Sequence, residues 1–315
     1  MPAAPEVTVV VPAYRAAATI GRTLSALRAQ RGAPEFEVIV VDSSPDESTT
    51  EAARRALAEP EGASRPEHRV VHLAERAFPG AARNRGAAMA RAPLLLFVDA
   101  DAIPAPDLVL ESVRAVAGEA DVAGGSIALA PPASVSARLR HLLQFKESLP
   151  GVPRRATWTL ASACVVYRRA TFERYGGFPD VRASEDWLLH WRMWQAGERL
   201  VFEPRMAILH ETPSGWRAFA RAARLLGYHS GVARRSSDLP GRTVVRRPLL
   251  AAGLPLARTM RAFVWCARYA PSELAFLSLT WPAYLVMCSI WASGFAAGLR
   301  GETAERKRLA RDLPL

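Results

Sequence analysis

Two aspartates one residue apart, Asp99 and Asp101, close an apolar run in "LLLFVDADAIP" (Leu94 to Pro104). Residues i and i+2 of a strand point the same way, so at a strand end both carboxylates can face one ligand. Two hard oxygen ligands suit Mg²⁺ or Mn²⁺, which also hold substrate phosphates. The ordinary alternative is a solvated turn whose aspartate caps the next helix. A second pair of acids, Glu185 and Asp186, opens "SEDWLLHWRMWQAGE". A carboxylate there can take a proton from a hydroxyl within hydrogen-bond reach, or simply oppose the helix dipole. Asp42 closes another apolar run, "FEVIVVDSS".

The elements that must position these groups alternate in the first half. "VTVVVPAY", "FEVIVVDSS", "HRVVHLAE" and "PLLLFVDAD" read as strands, the first two and the last buried. "AATIGRTLSALRAQ", "DESTTEAARRALAE" and "GAARNRGAAMARA" between them read as helices. The order βαβαβαβ implies an open, mostly parallel α/β sheet with helices on both faces. Ligands bind beyond the carboxyl ends of such strands. This puts Pro12 to Tyr14, Asp42 to Ser44 and Asp99 to Asp101 along one rim. Neither a Gly-x-Gly-x-x-Gly after the first strand nor a Gly-x-x-x-x-Gly-Lys occurs, which argues against a dinucleotide site and a P-loop. Further on, "DVAGGSIAL" and "TLASACVVYRRATFERYGGF" read as strands and a short helix, and "ERLVFEPRMAILHE" as a pair of short strands ending at His210. Trp187, His190, Trp191 and Trp194 recur at helical spacing, a stripe expected to pack in the core.

The chain has 315 residues and a formal net charge of +11. Met1 to Pro204 carries 24 basic and 24 acidic residues, whereas Arg205 to Leu315 carries 17 basic and 6 acidic. The excess therefore sits in the last third and points to an anionic surface. The basic segment has no nucleic-acid recognition motif and adjoins an apolar span, so lipid is favoured over nucleic acid. The three cysteines, Cys164, Cys266 and Cys288, form no Cys-x-x-Cys pair, which fits a reducing compartment. The N-terminus does not read as a signal peptide. From Pro248, "PLLAAGLPLARTMRAFVWCARYA" keeps Arg258, Arg261 and Arg268 on one helical face opposite apolar residues, as in a helix lying on a membrane. Leu274 to Leu299 carries no charge and is long enough to span a bilayer, with a buried or re-entrant helix as the alternative.

The ordered set "VTVVVPAYRAAATIGRTLSALRAQ", "FEVIVVDSSPDEST", "GAARNRGAAMARAPLLLFVDADAIP", "ASACVVYRRATFERYGGFPD", "SEDWLLHWRMWQAGERLVFEP" and "ILHE" resembles the inverting glycosyltransferases of family 2, with the GT-A fold. The resemblance covers Val7 to Glu211. It implies a nucleotide-sugar donor, with Pro12 and Tyr14 lining the nucleoside pocket, Asp42 on the base or ribose, and Ser44 beside them. It implies Arg83 at the nucleotide or its diphosphate, Asp99 at the ribose and in the metal shell, Asp101 on the metal, and His210 near the diphosphate as a further metal ligand. The catalytic base it implies is Asp186, with Glu185 second. Many members carry a second acid followed by Gly-Ser after the residue matching Asp42. This chain has Ser43-Ser44-Pro45, which leaves the base identity open.

The expected organisation is a GT-A catalytic domain over 1–212, a basic helical connector over 213–247, and a membrane-associated region over 248–315 with a transmembrane helix over 274–299. The expected activity is metal-assisted, inverting sugar transfer at the cytoplasmic face of the cell membrane. Location alone suggests a lipid-linked acceptor. The Gln-x-x-Arg-Trp pattern of processive synthases is missing. A sugar nucleotidyltransferase and a non-catalytic membrane protein on the same fold are the rival readings. The first usually needs a glycine-rich loop after strand one, absent from "VPAYRAAATI".

Overall fold

The computed structural model describes residues 4–58, 67–241 and 248–301. The expected regions at 242–247 and 302–315 lie outside the described residues. The chain forms two compact units, one of residues 1–130 and 153–211, the other of 131–152 and 212–315.

In the first unit the chain runs β1 (Val7–Ala13), α1 (Ile20–Arg28), β2 (Phe36–Asp42), α2 (Ser48–Ala58), β3 (Glu67–His72), α3 (Pro79–Ala88), β4 (Leu94–Val98), β5 (Ala102–Pro104), α4 (Leu108–Ala117) and β6 (Val122–Leu129). The second unit then contributes α5 (Val135–Phe145). The first resumes with β7 (Arg155–Ala156), β8 (Cys164–Arg168), α6 (Arg169–Arg174), α7 (Glu185–Gln195) and β9 (Leu200–His210). The second ends with α8 (Trp216–Ser236), α9 (Leu254–Tyr269) and α10 (Pro271–Arg300).

One nine-stranded sheet has the order β3-β2-β1-β4-β8-β6-β9-β5, with β7 also on β9. The first four strands are parallel, as the βαβ alternation requires. β8 runs antiparallel to both β4 and β6, so the sheet is mixed. Val9, Val10, Val11, Val38 to Val41 and Leu95 to Val98 are fully buried. Continuous β-branched and leucine runs of this kind belong to strands covered on both faces. α3 lies very close to β1, because a Cβ on Gly86 would stand 2.3 Å from Val10 Cγ1. The expected pair of strands before His210 is instead one eleven-residue strand, β9, whose pairing with β6 shifts register between Gly125 and Ser126. A bulge absorbs Pro204, which cannot donate to a ladder.

In the second unit α8 and α10 cross through glycines. A Cβ on Gly227 or Gly231 would lie 2.0 or 2.3 Å from the carbonyl oxygens of Trp291 or Phe295. One on Gly294 or Gly298 would lie 2.1 Å from those of Arg224 or Tyr228. Both helices thus carry a Gly-x-x-x-Gly that lets backbones touch.

Candidate active site

The strand that carries the Asp-x-Asp stops at Val98, and a tight turn follows, closed by the Ala102 N–H donating to the Asp99 carbonyl at 3.1 Å. The turn, not the strand's period of two, brings the acids together. It leads into β5, an edge strand that tolerates Pro104. Ala102 pairs with His210 at the end of β9, and the Glu211 N–H donates to the Asp101 carbonyl at 2.9 Å. A residue over a hundred positions downstream is thereby set beside Asp101. Its Nε2 lies 3.4 Å from Asp101 Oδ1, and one ligand atom each from Asp99, Asp101 and His210 falls within 4.8 Å of the others. Two carboxylate oxygens and an imidazole nitrogen at this spacing fit a divalent ion such as Mn²⁺ or Mg²⁺. Burial raises the pKa of Asp101, the nearby Asp99 and Glu211 carboxylates add to the rise, and His210 opposes it. A cation there would reverse that balance.

Behind the turn lies a buried charge bridge. Arg83, on α3, is 3% exposed. Its Nη2 donates to Asp99 Oδ1 at 2.6 Å and its Nη1 to Glu185 Oε1 at 3.0 Å. The guanidinium therefore joins the Asp-x-Asp turn to the start of α7. Asn84, the next residue, ties α3 to the loop before α7 by exchanging two bonds with the Phe178 backbone, at 2.7 and 2.9 Å. α7 itself begins after Ser184, a left-handed residue with φ +71°. Such a conformation is uncommon outside glycine and concentrates at functional sites. Glu185 turns inward, and burial together with the adjacent Asp186 raises its pKa to about 7, against Arg83. Asp186 is also raised by burial, while N–H donation from Trp187 at 2.8 Å and Ser162 at 3.3 Å works the other way.

The tryptophan stripe on α7 is not the core face. Glu185, Leu189, His190 and Met193 point inward, while Trp194 is 37% exposed. Trp187 and Trp191 are half-buried and meet Trp158 edge-on, with ring centroids 6.0 and 5.2 Å away. His190 sits against Tyr167 Oη at 2.5 Å, and burial drives its pKa down to about 3, so it is a neutral core histidine.

At the other end of the rim, Asp42 is fully buried. Its Oδ1 accepts from the Ser44 N–H at 2.9 Å and hydroxyl at 2.5 Å, and its Oδ2 from Thr50 at 2.8 Å. Ser44 Oγ in turn accepts from the Arg15 N–H at 2.7 Å. Asp42 thus braces the loops after β1 and β2. Pro12 and Tyr14 are half-buried beside them. The Arg76 guanidinium lies 4.5 Å from the Tyr14 ring centre, and the pKa of Arg182 is lowered by partial burial and by Arg76. These two arginines were not singled out in the sequence. Their signal was weak, because each sits in a loop among many other arginines.

The model of glycosyl transferase family 2 matches residues 8–176, more than half of the chain. The chain belongs to this family. It is 30% identical over 237 residues to the succinoglycan biosynthesis protein ExoO of Rhizobium meliloti, across 70% of this chain and 64% of that protein. It is 29% identical over 222 residues to the pre-mycofactocin glycosyltransferase of Mycobacterium tuberculosis, across 65% of this chain and 43% of that one. These matches span less than two thirds of either relative. Among solved structures, the mannosyltransferase PcManGT of Pyrobaculum calidifontis, in complex with GDP-Man and Mn²⁺, superposes with a TM-score of 0.62 at 23% identity, covering 94% of this chain and 88% of that one. S. aureus TarS 1–349 with UDP-GlcNAc gives a TM-score of 0.52 at 18% identity, covering 96% and 92%. The fold is the GT-A fold of these glycosyltransferases.

Proposed function

We propose that the chain transfers a sugar from a nucleotide-diphosphate donor to an acceptor hydroxyl with inversion. The observation that carries this reading is the joining, through Arg83, of the Asp99–Asp101–His210 cluster to the Glu185–Asp186 pair. One side offers a place for a diphosphate and its counter-ion, and the other offers a proton acceptor. PcManGT, solved with GDP-Man and Mn²⁺ on the same fold, is consistent with it.

Asp99, Asp101 and His210 would hold Mg²⁺ or Mn²⁺, which when bound neutralises charge on the departing diphosphate. Asp186 accepts the acceptor's proton as its oxygen bonds to the anomeric carbon and the carbon–diphosphate bond breaks. Glu185, fixed by Arg83, positions that end of α7 and is the second choice for the base. Pro12, Tyr14, Asp42 and Ser44 shape the nucleoside end, and Arg76 and Arg182 add positive charge beside Tyr14. Polysaccharide or glycolipid synthesis is in keeping with the likeness to ExoO, a succinoglycan biosynthesis protein.

The second unit is the membrane-binding part in this reading, at the cytoplasmic face. α10 is long and apolar enough to cross a bilayer. However, Arg138, Arg258 and Arg234 stand over Phe276, Trp291 and Phe295 along its length, at 4.1, 3.9 and 6.0 Å from the ring centres. Charges at those depths are expensive in hydrocarbon. Lying on the lipid surface is therefore favoured over crossing it.

The test is a screen of transfer and donor hydrolysis with UDP-, GDP- and dTDP-sugars, with Mn²⁺ and with a chelator. Activity for one donor that chelation abolishes is expected. Full activity in chelator would remove the metal from the mechanism.

A further inference from the structure

The helix that carries the two acids, α7, is not held at its start by a cap of its own. An N-cap serine normally sits in extended backbone and bonds an N–H of the first turn. Ser184 is left-handed instead, and its side chain makes no capping bond. What holds the start lies on α3. Besides the bond from Arg83 to Glu185, Asn84 grips the backbone of Phe178, upstream of α7. Its Nδ2 donates to the Phe178 carbonyl at 2.7 Å, and its Oδ1 accepts from the Phe178 N–H at 2.9 Å. A carboxamide carries both a donor and an acceptor, so one side chain satisfies both backbone groups.

Two glycines let these elements close up. Gly177 has φ +72°, and a Cβ there would stand 2.6 Å from Asn84 Oδ1. A Cβ on Gly80 would stand 3.1 Å from both Glu185 Cγ and Phe178 Cβ. Both ends of the loop from Phe178 to Glu185 thus lie against α3. The same loop is registered to the strand that leads into the Asp-x-Asp turn. Phe178 is 2% exposed, and its ring meets Phe97 of β4 edge-on with centroids 5.4 Å apart. The Arg83 guanidinium lies 5.6 Å from the centre of that ring. Phe178 therefore sits where β4, α3 and the approach to α7 meet.

We propose that Asn84 is a positioning residue for the transfer step: by clamping Phe178 it sets the Glu185–Asp186 pair against the Asp99–Asp101 turn. The proposal rests on the glycosyl-transfer reading above and names the contact that places its base. A misplacement of about 1 Å in a reacting group costs roughly a hundredfold in rate.

The test uses the full chain, Mn²⁺ and whichever of the UDP-, GDP- and dTDP-sugars the screen selects. Turnover is read as release of nucleoside diphosphate, with water as the acceptor hydroxyl. Asn84→Leu, which keeps the volume and loses both bonds, lowers kcat about 10–100-fold with donor KM within about twofold. Asn84→Asp, which still accepts from the Phe178 N–H, falls between Asn84→Leu and wild type. Gly177→Ala, which drives a methyl against Asn84 Oδ1, behaves like Asn84→Leu although Asn84 is intact. Thr8→Val is the control. It removes a fully buried bond to Glu37 near the amino end of β1, so it lowers Tm and leaves kcat as in wild type. Tm is measured for every variant, and turnover is assayed well below the lowest. A kcat that simply follows Tm across these variants, the control included, would overturn the positioning role. So would wild-type kcat in a folded Asn84→Leu, or a rise in donor KM as large as the fall in kcat. Asp186→Asn in parallel separates the two readings. If it loses turnover while Asn84→Leu keeps it, the clamp fails and the base stands. If Asn84→Leu alone loses turnover, the Asp186 assignment fails and the clamp stands. If both keep it, both fail.

Discussion

Two buried charge clusters in this chain differ in their balance. In the first unit, Arg83 meets Asp99 and Glu185 at 2.6 and 3.0 Å, with Asp186 close behind. In the second, Lys146 and Arg261 lie 3.9 and 2.8 Å from the carboxylate of Glu147, and Arg258 adds a further positive charge near Lys146. The first cluster is closed on itself and fixes geometry. The second sets more cations than carboxylates around Lys146 among the described residues. A buried pair costs desolvation in either case, but breaking a closed one leaves an uncompensated charge, whereas removing an unbalanced one relieves it.

The largest effect should come from Asp186→Asn, beside the closed cluster. We expect kcat to fall roughly 10²–10⁴-fold with donor KM little changed, measured as transfer to acceptor. Unchanged transfer would remove the base assignment.

Next, Arg83→Met should lower stability by about 3–5 kcal/mol in denaturant unfolding, because the buried Glu185 and the half-buried Asp99 lose their partner. Lys146→Met should leave stability equal or higher. If both substitutions destabilise alike, the contrast between the clusters fails.

The pH dependence sharpens the contrast through its sign. The folded pKa of Glu185 is raised from 4.5 to about 7, so between these values the folded chain keeps a proton that the unfolded chain has lost. Its contribution to stability therefore declines as pH rises through that window. For Lys146 the folded value drops from 10.5 to about 8, so between them the unfolded chain holds the extra proton and stability rises with pH. Subtracting Glu185→Gln and Lys146→Met curves from wild-type Tm against pH should give slopes of opposite sign.

The smallest effect belongs to the surface. Arg22 and Glu211 make a two-bond pair at 2.5 and 2.6 Å, yet the Arg22 side chain is 54% exposed. Arg22→Gln should cost at most about 1 kcal/mol, measurable as a small shift in the urea midpoint.

The first four strands and their intervening helices were legible because parallel strands buried on both faces leave continuous apolar runs, and polar turn formers end them. β5 and β7, of three and two residues, leave no such period. α5 begins at a serine cap, the Ser134 hydroxyl accepting from the Ala137 N–H at 3.2 Å, and its apolar row of Val135, Leu139, Leu142 and Leu143 runs for little more than two turns, too short a period to stand out in the sequence. The paired glycines of "GYHSG" and "GFAAG" sat in plain view, but a Gly-x-x-x-Gly signals a crossing only when its partner helix is known.

By itself the sequence determined the alternation of strands and helices, the acids at the strand ends and the basic character of the last third, because these follow from local period and composition. Only the tertiary structure decided that His210 stands beside Asp101, that Arg83 is spent on Asp99 and Glu185, and that Asp42 braces its own loops. It also decided that Lys146 lies buried with too few carboxylates around it. Each of these depends on which distant segments pair and on how much water their packing excludes, and neither is written in the spacing of neighbouring residues.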